Sequence, residues 1–244
     1  MSSRCEVWHL SPLDYEAALR LQSRLVADRE QADGIDRLLL VEHPPTYTLG
    51  SAAQPEHLLL TPDECAQRGV RVVKADRGGD ITFHGPGQIV GYPILQLARP
   101  EISELRRDVV GYVRRLEQVI SATLADEGVR AYSLAGLTGV WVSTPVGDAK
   151  IAAIGVRVTA RGVTKHGFAL NVDPDLRWFE GIVPCGIRDK GVTSLAVLTG
   201  QPVDSARMAE RLIAHFGAVF DRQMAAVEPD PRIISGIADG QLSR

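Results

Sequence analysis

Four short apolar runs, at residues 129–132, 140–142, 151–158 and 167–172, follow one another with glycine and proline between them and no helix-length pattern among them. Runs of this length bounded by turn residues read as strands that are neighbours in the chain. That grouping favours an α+β class, with one mixed sheet flanked by helices, over a regularly alternating βαβ chain. Helical periodicity lies on either side of the cluster. Ala17, Ala18, Leu21 and Leu25 recur at three- and four-residue spacing over residues 13–30, with Ser11 and Asp14 expected as a capping box. Thr61, Pro62 and Glu64 open a short helix ahead of a strand at 70–74, residues 105–127 carry the longest helical pattern, and 204–220 supply a closing helix. Residues 38–41 and 89–95 read as further strands, the first ended by His43-Pro44-Pro45. From about Glu228 onward no pattern is found, and the tail is expected to be loosely held.

With 244 residues, 45% of them hydrophobic, the chain can bury the core of one domain spanning 1–244. Lysine and arginine number 27 against 30 acidic residues, a formal charge of −3, so nothing global draws the chain to nucleic acid or an anionic membrane. The beginning of the chain lacks a basic segment followed by an apolar run, and no stretch of about 18 apolar residues occurs. A cytoplasmic, non-membrane protein is expected. Cys5, Cys65 and Cys185 are odd in number and widely separated, which fits neither a disulfide framework nor a zinc knuckle.

Chemistry is signalled in four places. In the segment from Arg77 to Gly87, four glycines surround a short apolar strand and His84; they permit positive φ and close approach of backbone to a ligand, and Arg77 can hold an anion or a carbonyl. A tight hairpin explains the same glycines, and neither GxxxxGK[ST] nor GxGxxG is present. Lys150 opens an apolar strand, where it is either partly buried or an edge lysine facing water. His166 and Asn171 flank a third apolar strand. Cys185 lies between Pro184 and Gly186, on a turn rather than in an apolar run, and a thiol there becomes nucleophilic once a nearby cation stabilises its thiolate. Lys150, His84 and His166 are the candidates for that cation. Zinc held by His84, His166 and Cys185 would require three scattered single ligands and is disfavoured.

Together and in order, RGGDITFHGPGQIVGYPI, KIAAIGVRV, HGFALNV and PCGI resemble the octanoyltransferases of lipoate biosynthesis, over residues 77–194. Those enzymes share the fold of the biotin and lipoate protein ligases. The resemblance implies that Cys185 carries an acyl thioester and that Lys150 lowers the pKa of its thiol. It implies a substrate tunnel formed by Arg77, Gly78, Gly79, Asp80, Ile81, Thr82, Phe83 and His84, by Ala153, Ile154 and Gly155, and by Gly167, Phe168 and Ala169, with His166 beside them. Asp80 stands where the pattern calls for glutamine or lysine. Ile151, Ile154, Val156 and Phe168 are expected to supply an apolar channel. The implied donor is octanoyl-acyl carrier protein, and the implied acceptors are lipoyl domains of 2-oxoacid dehydrogenase complexes and the glycine cleavage H protein, served by a monomer without metal, cofactor or ATP. Arg106, Arg107, Arg157, Arg161 and Lys165 are expected to dock these acidic partners. The alternatives are an ATP-dependent lipoate or biotin ligase on the same fold, a carrier-binding module without turnover, and a cysteine hydrolase. The hydrolase is disfavoured because no Asp or Asn is recognisably placed to orient a histidine.

Overall fold

The computed structural model describes residues 3–31, 33–97, 108–184, 190–231 and 233–234. Its elements run β1 (Ser3–His9), α1 (Tyr15–Arg29), β2 (Asp36–Val41), β3 (Thr46–Leu49), α2 (Pro62–Arg68), β4 (Arg71–Lys74), β5 (Ile81–His84) and β6 (Gln88–Ile94). They continue with α3 (Val109–Ala125), β7 (Ala131–Leu134), β8 (Leu137–Thr144), β9 (Gly147–Val158), β10 (Thr164–Asn171), β11 (Gly191–Val192), α4 (Leu195–Thr199), α5 (Ser205–Phe220) and β12 (Arg222–Ala226). Nine strands form a mixed sheet in the order β12-β1-β2-β6-β10-β9-β8-β7, with β11 beside β9, and β4-β3-β5 form a separate three-stranded sheet. Among the described residues no helix is long and apolar enough to cross a membrane.

Helices cover both faces of the large sheet, which is why β2 reads as an unbroken apolar run instead of an alternating one. Leu38 and Leu40 join the core that α3 and α5 complete with Tyr112, Leu116, Ile120, Leu212 and Phe216. Leu39 and Val41 face α1, against Tyr15, Ala18, Leu21 and Leu25. A third core, of Tyr47, Cys65, Val70, Ile81, Phe83 and Ile182, lies in and around the small sheet.

The expected class stands, with three corrections. The sheet is not single, because Pro44 and Pro45 separate β2 from β3, and the strand that follows pairs with β4 and β5. Asp14 caps α1 without a side-chain hydrogen bond, since its carboxylate is drawn 3.0 Å from Arg71 Nη1; the box with Ser11 does not form. The tail is not loose throughout: beyond Glu228, Ile233 and Ile234 pack on the α1 core. At the short helix the sequence reading is accurate, for Thr61 and Glu64 form both halves of a capping box.

His43 fastens α1 to the sheet. Its Nδ1–H donates to Leu13 O at 2.5 Å, and its Nε2 accepts from the Tyr92 hydroxyl at 2.7 Å. Leu13 O can only accept, so the tautomer is fixed. Burial lowers the imidazole pKa from 6.5 to about 4, against the opposing pull of the Leu13 carbonyl and Asp14. Because the folded value lies below the unfolded one, the unfolded chain binds the extra proton between pH 6.5 and 4, and stability falls as pH falls through that window. The shift corresponds to at most about 3 kcal/mol. Urea unfolding at pH 7 and pH 4.5 is expected to show this loss, with a shallower pH slope in His43→Gln; parallel slopes in the two proteins would remove His43 as its source.

Candidate active site

Lys150 owes its position to an irregularity. In a regular strand, residues three apart lie on opposite faces, which would separate Lys150 from Ala153. Between β8 and β9, however, Val140 pairs with Ala152 and Trp141 with Lys150, leaving Ile151 as the extra residue of a bulge. A bulge of this kind re-aims the side chains on either side of it. Lys150 and Ala153 accordingly line the same cavity, of about 210 Å³, and Ile151 turns into the α3/α5 core. Lys150 is only 6% exposed, with its Nζ 4.8 Å from the Trp141 ring centroid, so it is not an edge lysine facing water.

The cavity wall draws on each glycine-bearing motif. Arg77, Gly79, Asp80, Thr82 and His84 form one side; Ala153, Ile154, Gly155, His166, Gly167, Phe168 and Ala169 form the other. Three residues expected there do not line it. Strand alternation turns Ile81 and Phe83 away from Thr82 and His84 into the third core, where Phe83 stacks on Trp178 at 5.6 Å. Gly78 instead seals the wall: its N–H donates to Val156 O at 3.0 Å, and a Cβ on Gly155 would stand 2.9 Å from Gly78 O. Of the expected channel residues, Ile154 and Phe168 line the cavity, while Ile151 and Val156 pack on the α3/α5 core. Sequence reasoning missed Tyr15, Tyr92, Gly136, Leu137 and Thr138. The two tyrosines had a signal, as single hydroxyls within apolar patterns; the hairpin residues had none.

Charge within the site is largely committed. Arg77 is 6% exposed and its guanidinium donates to Thr48 O, Thr48 Oγ1 and Gly78 O, so it shapes the loop and does not present an open fork to an anion. Asp80 accepts from Ile81 N at 2.7 Å and Gln54 N at 3.3 Å and pairs with His57. His84 stacks on Tyr15 at 5.3 Å; burial, reinforced by His43, Arg77 and His166, holds its pKa well below the usual value. Burial likewise lowers His166 to about 4, outweighing its 2.6 Å contact with Asp76 Oδ1. Burial alone would raise Asp76, but bonds from His166 and Lys165 hold its carboxyl well below the ordinary range. Both histidines are therefore neutral at pH 7, which leaves Lys150 among the three cations considered for stabilising a thiolate.

Asp76 does orient a histidine, contrary to the expectation from sequence. The pair lies toward the other end of the cavity from Lys150, however: His166 is paired with Val156, six positions along β9 and so roughly 20 Å of backbone at the rise of an extended strand. His166 also adopts φ 60°, a left-handed conformation costly for any residue but glycine.

Two cysteines are structural. Burial, foremost, raises the Cys5 thiol to about 12 and also raises Cys65, and both lie in apolar cores. Cys185 lies outside the described residues, but Pro184 immediately before it lines a small recess together with Lys150 and Asn171. Of the expected docking cations, Arg157 and Lys165 both pair with Asp76, and Arg161 lies 3.9 Å from Glu30. Arg106 and Arg107 fall outside the described residues.

Comparison with known proteins agrees with this architecture. The lipoyl protein ligase A/B catalytic domain family matches residues 14–217. An octanoyltransferase of Chloroflexus aggregans is 54% identical over 215 residues, covering 88% of this chain and 94% of its own. An octanoyltransferase of Solibacter usitatus is 47% identical over 220 residues, covering 90% and 94%. Among solved structures, a bipartite lipoate protein ligase of Thermoplasma acidophilum superposes with a TM-score of 0.76 at 15% identity, covering 97% of this chain and 91% of that one, a likeness of fold. On the family match and these relatives, this chain belongs to the lipoyl protein ligase A/B catalytic domain family and is an acyltransferase.

Proposed function

We propose that this chain, as a single catalytic domain, transfers an octanoyl group from octanoyl-acyl carrier protein through a thioester on Cys185 to the target lysine of lipoyl domains. Acceptors of this kind are the lipoyl domains of 2-oxoacid dehydrogenase complexes and the glycine cleavage H protein. The observation that carries the reading is Lys150, buried by a bulge at the wall of a partly apolar cavity, in a recess shared with the residue before Cys185. The names of the octanoyltransferase relatives support the acyl group, and the burial that raises the Cys5 and Cys65 thiols favours Cys185 over them as the nucleophile.

In the proposed sequence the Cys185 thiolate, paired with the Lys150 ammonium, attacks the carbonyl carbon of the donor thioester. A C–S bond to Cys185 forms, the C–S bond to the carrier breaks, and the departing carrier thiolate takes a proton from Lys150. The neutral amine of the acceptor lysine then attacks the enzyme thioester, the amide forms, Cys185 leaves as thiolate, and Lys150 takes the amine proton, returning to ammonium. His84, held neutral and weakly basic by its burial, is poorly suited to that last role. The acyl group arrives activated, so the route requires no ATP.

Intact mass after mixing with octanoyl-acyl carrier protein without ATP is expected to show an octanoyl increment that hydroxylamine removes and that maps to Cys185. Cys185→Ala should lack both adduct and transfer, and Cys65→Ala should keep both. Equal behaviour of the two variants sinks the assignment, and acylation of a lipoyl domain only when ATP is added selects the ligase chemistry instead. Lys150→Ala should move the midpoint of Cys185 alkylation by iodoacetamide to higher pH; an unmoved midpoint removes Lys150 from thiolate stabilisation.

A further inference from the structure

The placement of Lys150 depends on chain outside every motif that the sequence displays. The β7–β8 hairpin contributes Gly136, of its turn, and Leu137 and Thr138, of β8, to the cavity wall. Its two strands are tied to one carboxylate, Glu117 of α3: Ser133 Oγ donates to Oε2 at 2.7 Å, and Gly139 N–H donates to Oε1 at 3.1 Å. The Glu117 side chain is 2% exposed, and Arg114, one turn earlier on the helix, donates to Oε2 at 2.5 Å.

The carboxylate substitutes for a ladder bond. Tyr132 pairs with Trp141 and Leu134 with Leu137, so Ser133 alone faces the three residues 138–140, and the regular pairing is interrupted there. A buried N–H at such an interruption needs another acceptor, and Gly139 finds it on the helix behind. Gly139 has φ 121°, and a Cβ on it would stand 2.7 Å from Ala152 O and 3.3 Å from Lys150 Cε. Whatever fixes Gly139 therefore fixes the space that the Lys150 stem occupies.

We propose that Glu117 is a positioning residue for acyl transfer, holding Gly139 and the hairpin tip at 134–138 so that Lys150 and the adjoining cavity wall keep their relative placement. The inference rests on Lys150 acting with Cys185, as set out above. Glu117→Gln keeps an oxygen able to accept from Gly139, whereas Glu117→Ala leaves that N–H buried without its acceptor.

The test uses the full chain with octanoyl-acyl carrier protein and a lipoyl domain. Glu117→Ala is expected to lower kcat about tenfold to a hundredfold, the cost of misplacing a reacting group by up to an ångström. It should also move the Cys185 alkylation midpoint to higher pH, and Glu117→Gln should restore both to within a few-fold. A Glu117→Ala protein that melts earlier yet keeps the wild-type kcat and alkylation midpoint overturns the proposal, since a merely structural carboxylate predicts that pattern. If Glu117→Ala does not fold, Ser133→Ala, which cuts one of the two ties, decides: a smaller change of the same sign in kcat and midpoint supports the role, and none overturns it. A wild-type chain that forms no octanoyl adduct on Cys185 defeats the proposed function and this inference with it, whereas a wild-type adduct beside an indifferent Glu117→Ala defeats this inference alone.

Discussion

One unpaired position, Ile151 in β9, governs the site. Without it, strict alternation would send Lys150 and Ala153 to opposite faces of the sheet, placing the lysine among the aliphatic side chains of α3 and α5. With it, the core receives Ile151 and the cavity receives Lys150. The adjacent strand is irregular at the same level, where Gly139 departs from regular pairing and Trp141 offers its ring to the lysine. A cation in that setting keeps a cation–π contact while most of its hydration is removed. The two irregularities are thus complementary, one turning the side chain inward and the other making room for it.

The remaining polar groups around the cavity are largely occupied with architecture. Arg77 uses its donors on Thr48 and Gly78, Asp80 bonds the backbone of Gln54 and Ile81, and Asp76 gathers Arg157, Lys165 and His166. His43, His84 and His166 are all depressed by burial, so these three imidazoles carry no charge at neutral pH. Neutral imidazoles and a committed guanidinium make the electrostatics of the site simple in spite of its many titratable groups.

Much of this was legible in the sequence, for a physical reason that also marks the limit. Helix α5, the capped start of α2 and the β2 run are set by local periodicity and local chemistry, and residues 204–220, 61–64 and 38–41 were read accordingly. Strand alternation across Ile81, Thr82, Phe83 and His84 assigns two residues to the cavity and two to the core, as found. What could not be read depends on partners distant in the chain. β12 is a strand because β1 is available beside it, Asp14 gives up its cap to Arg71, and the bulge at Ile151 exists only as a mismatch between two strands. Glu117 illustrates the limit most plainly, since within its helix it reads as one carboxylate beside an arginine.

The cavity also constrains where any rate acceleration can originate. On the proposed reading, burying an eight-carbon acyl chain there would contribute about 0.8 kcal/mol per methylene, some 5 kcal/mol in total, toward holding the donor. That contribution is nearly equal for the bound thioester and for its transition state, so it favours occupancy without lowering the chemical barrier. On the proposed route, exchange of one thioester for another is close to isoenergetic, which leaves little driving force to use. The difference between ground state and transition state must then lie in charge moving between sulfur, carbonyl oxygen and amine. On the proposed route Lys150, buried in the cavity wall, is the cation placed to respond to it. A loss of precision at Lys150 should therefore appear in kcat before it appears in the affinity for the acyl chain.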